Sequence, residues 1–590
     1  MMILDVEVYT NYFLVVFEND AGKIASFEKT DDEPLNVARV SHIMRKNLTG
    51  GFNSSGYDLI MISAALENRD CADLKRISNA IITSNLPPWR VARDLDIRML
   101  SGIDHIDIID VAPGQASLKV YAGRLGYPKI QDLPIPHDAI LTRAQMDEIK
   151  GYCINDARVT RTLFEALRPQ IKLRSEMSKE YGVDLRSKSD AQIAEAVLRH
   201  EIEKITGNSI RPPKVADGTT YQYIDPGNVK FQTPELRDIL ARLTAHDFGL
   251  AGNGSIQMPD WLRDTKIRIG TSDYQMGIGG LHSCESGQSV RAGSSHILCD
   301  FDVASYYPSI ILQQGITPDA LGDDFTSVYR SIVERRLAAK KSGDSVTANT
   351  LKIVVNGSFG KLGSKYSTLY APNLLIQTTI TGQLCLLMLI ERMEAAGAKI
   401  VSANTDGVVV FAEKHLNDAV NDVAFNWTID TGYVLERSDY RALYSRDVNN
   451  YIAVKNNGGA KRKGAFGEPG LSKNPQFTIV TDAVAAHLSG ASDYRDVIRK
   501  CRDINKLVML RKVTGGASWR GDDLGRAVRF YYSTEVGADE TIDYSKNSNK
   551  VPQSDGARPC MDYPDEFPAD VDFERYVGMA KLALKGMGYA

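Results

Sequence analysis

CDFDVASYYPSII, residues 299–311, is the stretch from which the rest of the chain is read. It has the pattern of a buried strand that ends in a turn. Asp302 stands among apolar residues, where a carboxylate is costly unless it is paired or holds a metal. Pro308 cannot donate to a sheet ladder, so the strand is expected to stop near Tyr306 or Tyr307, with Asp302 close to its end beside two aromatics. Taken alone, the same residues also fit a strand-terminal Asp that caps a turn.

Working outward, 590 residues are too many for one core and imply about three to five domains. A net charge of -4 does not advertise a nucleic-acid binder, so local basic clusters carry more weight than the average. Seven cysteines (Cys71, Cys153, Cys284, Cys299, Cys385, Cys501, Cys560) are scattered without a Cys-x-x-Cys pair. That argues for a reducing compartment and against structural zinc or an iron–sulfur cluster. The start, MMILDVEVYT, is acidic where a signal peptide needs a basic segment. No run approaching about 20 apolar residues is apparent, so no membrane span and a cytoplasmic location are expected.

Carboxylates recur in strand and helix patterns. ILDVEVY, residues 3–9, places Asp5 and Glu7 two apart, on one face of a strand. Such a pair repels unless a cation sits between, although a solvated strand face fits equally. YFLVVFEND continues it as a hairpin. In GGFNSSGYDLIMI, residues 50–62, a Gly-Ser turn with Asn53 runs into an apolar segment expected to be a strand, with Asp58 at the junction. In GYCINDARVT, residues 151–160, Tyr152 and Asp156 stand at i and i+4 on one helix face, with a break expected at Pro169. SLKVYAGRLG, residues 117–126, looks like a supporting helix without chemistry. Residues 328–363 have the pattern of an αα-hairpin, with Arg336 and Lys340 sharing a face and Lys352 in the second helix. Cations aligned in this way suit a triphosphate, or else form a solvated basic face. KIVSANTDGVVVFA, residues 399–412, is two apolar strands about a tight turn that holds Asp406. NNYIAVKNNGGAKRKGAF, residues 449–466, is a hairpin with Lys455, Lys461, Arg462 and Lys463 at its turn. Residues 491–513 are expected to supply a basic amphipathic helix.

Residues 302–309 resemble motif A of family B DNA polymerases, Asp-x-x-Ser-Leu-Tyr-Pro-Ser, with Tyr306 in place of the Leu. Seven further segments are similar to motifs of that family, in the family's order. Asp5 and Glu7, Asn53 and Asp58, and Tyr152 and Asp156 match the three exonuclease motifs. Gly279 and Gly280 match a Tyr-x-Gly-Gly segment in which Ile278 replaces the aromatic. Lys352, Asn356 and Gly360 match motif B, with Gly357 for Ser and Phe359 for Tyr. Asp406 matches the second Asp of motif C, where Asn404 departs from the first. Tyr451 matches the Lys-x-Tyr region, with Asn449 where the Lys would be.

The resemblance implies an α/β and α+β multidomain chain: a ribonuclease-H-like 3′-5′ exonuclease domain followed by a right-hand polymerase with palm, fingers and thumb. The exonuclease is expected over 1–170 and a linker leading into the palm over 171–298. Palm segments are expected over 299–326 and 364–436, fingers over 327–363, and thumb with carboxy-terminal segment over 437–590. It further implies DNA-directed DNA synthesis with proofreading, in a compact phage-type enzyme acting in the host cytoplasm if phage-encoded. Two Mg²⁺ per active site are implied, with Mn²⁺ as a substitute. Asp302, Asp406 and the carbonyl of Val303 would hold them for synthesis, and Asp5, Glu7, Asp58 and Asp156 for hydrolysis, with Tyr152 orienting the water. Tyr307, Arg336, Lys340, Lys352 and Asn356 would bind the nucleotide. Asn53, Gly279, Gly280, Tyr451, Lys461 and Lys463 would contact DNA. Primer-template DNA and dNTPs are the implied partners, with a processivity factor or single-strand-binding protein if processivity is needed. With the first motif at residue 5, no domain reading template uracil is expected ahead of it. The intervals from Asp302 to Lys352 and from Gly360 to Asp406 are too short for the insertions of protein-primed phage polymerases, so no terminal protein is expected.

Overall fold

A computed structural model describes residues 1–216 and 218–589. The chain folds as a mixed α/β protein around several separate hydrophobic cores. Met2–Tyr9 and Tyr12–Asn19 form the expected hairpin, and Ile24–Thr30 extends it antiparallel. Leu48–Gly51 and Asp104–Asp107 add parallel strands on the other side. The sheet is buried on both faces, and strand alternation divides its side chains between two cores. Leu4, Val6 and Val8 pack with helix Asp58–Leu66. Ile3 and Tyr9 pack with helix Arg143–Ala166. The odd-numbered face therefore turns Asp5 and Glu7 toward that long helix.

Two expectations change in this region. DLIMISAAL is a helix, Asp58–Leu66, not a strand. Every residue from Asp58 to Ala65 is buried, so its apolar run carries no helical period to read. The long helix, capped by Thr142 and Gln145, ends at Ala166. Pro169 then lies in the first turn of the next helix, Arg168–Tyr181, where a missing N–H costs nothing.

The second sheet has ten strands. Its central member is His296–Val303, flanked antiparallel by Gly407–Glu413 and by Leu435–Asp447. The motif strand ends at Val303, earlier than expected. Ser305 adopts a left-handed φ of 50°, and helix Tyr306–Gln314 starts at once, with Pro308 in its first turn. Leu435–Asp447 runs unbroken through residue 437, so the division expected there falls inside one strand. Beneath the sheet lies helix Pro372–Ala395, which by length and composition alone could cross a membrane, contrary to the sequence expectation. It is a core helix. Nearly all of it is buried, and Gln383 donates to Gly277 O (2.9 Å) while Trp427 donates to Cys385 O (2.7 Å).

The αα-hairpin forms as expected, from Asp324–Ser342 and Ser345–Lys361, with Gly343 at φ 79° in the turn. Helices Arg168–Tyr181 and Asp190–Thr206, expected in a linker, share its core through Met177, Val197, Tyr329 and Val354. The approach is close enough to explain one departure from motif B. A Cβ at Gly357 would lie 2.6 Å from the Asp190 carbonyl oxygen, so no side chain fits.

The basic amphipathic helix expected over 491–513 is instead two short helices, Tyr494–Arg499 and Ile504–Leu507, followed by strand Met509–Trp519. That strand pairs with Asp522–Tyr532, and helix Phe573–Gly586 packs beside them in one core. The carboxy-terminal sheet returns to the amino-terminal unit. Arg529, fully buried, donates to Tyr127 O (2.7 Å), Pro128 O (2.6 Å) and Cys560 O (2.7 Å).

Candidate functional site

The fold assembles two carboxylate clusters. In the first, one oxygen each from Asp5, Glu7 and Asp156 lies within 4.8 Å of the others. Asp58, buried at the start of its helix, is coupled to them through charge. Burial first, then repulsion from Asp156 and neighbours, pushes Glu7 up to about 8 and Asp5 well above the carboxylate range. Burial and the Asp107 carboxylate push Asp58 up to about 7. Asp156 is also raised by burial, although Lys119 opposes the shift. Cys153 donates its thiol to Asp5 Oδ2 (3.3 Å). Tyr152 lies over the same face, with its hydroxyl held protonated by burial and by Asp156.

Lys119 and Asp107 were not singled out in the sequence. The Lys119 ammonium forms an ion pair with Asp156 and sits 4.2 Å from the Tyr152 ring centroid. The helix read as carrying no chemistry thus brings a cation to the cluster. Asp107 accepts from the backbone N–H groups of Asn53 (2.9 Å) and Ser55 (2.8 Å). It fixes the turn in which Asn53 is exposed with a φ of 57°.

The second cluster lies on the ten-stranded sheet. Asp302 stands in register with Gly407, and Val303 N–H donates to Asp406 O (2.7 Å). The two expected carboxylates therefore occupy the ends of adjacent strands. Gly407 leaves room for that carboxylate, because a Cβ would lie 2.5 Å from Asp302 Oδ1 and 3.2 Å from the Phe301 carbonyl oxygen, so Asp302 would have to shift. Gly280, with φ 144°, packs against Thr405 in the same way, and Leu281 O accepts from Thr405 N–H (2.8 Å). Gly280 thus braces the Asp406 turn. Asn404 Oδ1 accepts from Thr405 Oγ1 (3.0 Å).

Tyr451, Lys461 and Lys463 line the same cavity as Asp302 and Asp406. The basic residues do not form the single turn cluster expected from the sequence, since strand alternation separates them. Arg462 pairs with Asp482 (2.9 Å), while Lys461 reaches Asp300 Oδ2 (3.0 Å) and Asp302 Oδ2 (3.7 Å). Burial raises Asp302 and Asp406 above the usual carboxylate range, and Lys461 and Lys463 oppose both shifts. Asp300 was also missed. It lies two residues before Asp302, the same period-two signal that marks Asp5 and Glu7.

Above this cavity, Tyr307 stacks on Phe359 at 4.2 Å between centroids and donates to Gly279 O (2.8 Å). Arg336 donates to Ser305 Oγ (2.8 Å), which ties the helical hairpin to the motif turn. Lys340 pairs instead with Glu436 (3.4 Å). Lys352 and Asn356 are exposed one turn apart. The structure thus joins Tyr307, Phe359, Arg336 and Gly279 around the turn, and Lys340 reaches Glu436, the strand partner of Asp302, while among the described residues no hydrogen bond or ion pair ties Lys352 to the turn.

No protein-family model matches the chain, and no curated protein matches it in sequence. Among solved structures, it is similar to the family B DNA polymerase from the hyperthermophilic archaeon Pyrobaculum calidifontis. The likeness covers 99% of this chain and 77% of that one, at 13% identity and a TM-score of 0.42. At this level the functional reading rests on the side chains.

Proposed function

We propose that the chain is a template-directed DNA polymerase that adds dNTPs to a primer 3′ end, and that its amino-terminal cluster is a 3′-5′ proofreading exonuclease. The observation that carries this reading is the Asp302–Asp406 pair on adjacent strands, with Lys461 and Lys463 in the same cavity and the Tyr307–Phe359 stack nearby. The first cluster suits a hard divalent cation by geometry, with three carboxylate oxygens within 4.8 Å of one another, and Asp302 and Asp406 offer the same donor type in the second cavity. In both, the donors are carboxylate oxygens whose proton affinity is raised by burial, and Gly407 keeps the space beside Asp302 open. Bound Mg²⁺, or Mn²⁺ in its place, would activate the attacking oxygen and neutralise the leaving group at each site.

In this reading Asp302, Asp406 and the Val303 carbonyl hold the ions for synthesis. Lys352, Arg336 and Lys340 attract the triphosphate once the helical hairpin closes on it. Asn356 and Phe359 lie beside the nascent base pair, and Tyr307 packs under the sugar and excludes a 2′-hydroxyl. Lys463, Lys461 and Tyr451 grip the primer, and Gly279 and Gly280 border the template. At the amino-terminal cluster Tyr152 orients the water, and Asn53 contacts the single-stranded 3′ end. A nucleic-acid primer, no terminal protein, and a processivity factor or single-strand-binding protein where needed complete the proposal.

The test is primer extension on a recessed DNA duplex with Mg²⁺, with and without dNTPs. Asp302→Ala should abolish extension alone, and Asp5→Ala should abolish degradation alone. Degradation without extension by the wild type would overturn the synthetic reading and leave a nuclease, with Asn404 as the first residue to restore to Asp.

A further inference from the structure

Asp300 is a carboxylate in the middle of a sheet, 5% exposed, in register with Val409 on one side and Ser438 on the other. Such a charge persists only when it is paired and hydrogen-bonded. Asp300 Oδ2 accepts from Tyr440 OH (2.9 Å) and from Lys461 Nζ (3.0 Å). Lys461 is therefore held from below by a buried anion with its own second donor. The same ammonium lies 3.7 Å from Asp302 Oδ2, beyond hydrogen-bond distance. Asp302 is half-exposed to the cavity that Asp406 and Lys463 also line.

Without Asp300, the nearest anions available to Lys461 would be those of the cavity. A lysine seated on Asp302 would occupy the place that a divalent cation needs. We propose that Asp300 is a positioning residue that holds Lys461 off Asp302, keeping the Asp302–Asp406 pair open to a divalent cation. The inference deepens the polymerase reading and rests on it for the purpose of the cation. The Asp300–Lys461–Tyr440 arrangement stands on its own distances.

The proposal predicts a specific coupling. Closing the Lys461–Asp302 gap to hydrogen-bond distance, at an effective dielectric of about 20, strengthens that attraction by about tenfold in equilibrium constant. Asp300→Asn should therefore weaken cation binding about tenfold. Lys461→Met removes a cation that already pairs with Asp302 at 3.7 Å in the parent, so it should strengthen cation binding in both backgrounds, but by about tenfold more in the Asp300→Asn background than in the parent. Mn²⁺ binding by electron paramagnetic resonance gives the readout, on the full chain carrying Asp5→Ala and Asp156→Ala to silence the other cluster.

Equal effects of Lys461→Met in both backgrounds would mean simple charge counting, and would overturn the proposal. A double variant as weak as Asp300→Asn alone would make Asp300 a direct ligand, and would also overturn it. Circular-dichroism melting confirms that each variant is folded. Asp300→Ser provides a second way to remove the charge if Asn is not tolerated. Primer extension by the unmodified protein reports separately on the polymerase reading. The expected coupling without any extension supports the lysine positioning and overturns the reaction.

Discussion

On the proposed polymerase reading, Gly407→Ala removes no reactive group yet should slow synthesis about 100-fold. A Cβ at position 407 would meet Asp302 Oδ1 at 2.5 Å and Phe301 O at 3.2 Å. Ordinary contact begins near 3.4 Å, so Asp302 must move by roughly 1 Å or the strand pair must open. The pairing of Asp302 with Gly407 and the Val303–Asp406 bond resist opening, so the carboxylate is the part that yields. A displacement of about 1 Å in a catalytic group costs on the order of 100-fold in rate. Steady-state single-nucleotide extension should therefore fall by about two orders of magnitude, while degradation of the same primer without dNTPs stays at the wild-type rate. The expected cost in stability is about 1–3 kcal/mol, visible as a lower melting temperature with a retained cooperative transition. Extension within about threefold of wild type would refute the reasoning, because Asp302 would then tolerate the shift that the geometry forces on it.

Without divalent cation, the first cluster should make stability fall as pH rises. Glu7 and Asp58 have folded values of about 8 and about 7, above their ordinary 4.5 and 3.8. Their contribution is fully present below those ordinary values and is lost as pH rises through the folded ones. Melting in a chelator from pH 5 to 8.5 checks this, Mg²⁺ should recover most at the alkaline end, and a flat profile with no Mg²⁺ response would contradict it. Tyr307→Val removes the ring stacked on Phe359, and should raise ribonucleotide incorporation relative to deoxyribonucleotide by at least about tenfold in competition assays. Arg529→Met strands the carbonyls of Tyr127, Pro128 and Cys560, and should cost about 3 kcal/mol or more in denaturant unfolding.

Much of this was legible because the signals are local. A period of two places Asp5 and Glu7 on one strand face, and a spacing of four places Tyr152 and Asp156 on one helix face; the structure retains both. The αα-hairpin and the two strands around Asp406 follow from their turn residues. Local signals failed where burial is complete. DLIMISAAL and Pro372–Ala395 are apolar on every side, so neither period nor length separates a core helix from a strand or a membrane span. The run from 491 to 513 failed in the opposite way. Its charges suggested an amphipathic helix, but sheet pairing with Asp522–Tyr532 and the core beside it claimed the segment from Met509.

By itself, then, the sequence determined which carboxylates share a strand or helix face, because side-chain direction follows from backbone period alone. It could not determine which cation meets which carboxylate. Lys119 comes to Asp156 from a separate helix, and Lys461 comes to Asp300 from 161 residues away. Leu435–Asp447 pairs with the motif strand over its first half and with Asn450–Lys455 over its second, which carries the edge strand bearing Lys461 within reach of Asp300 and Asp302. Those partners depend on how sheets and helices pack, a non-local balance of burial and charge that no short stretch encodes.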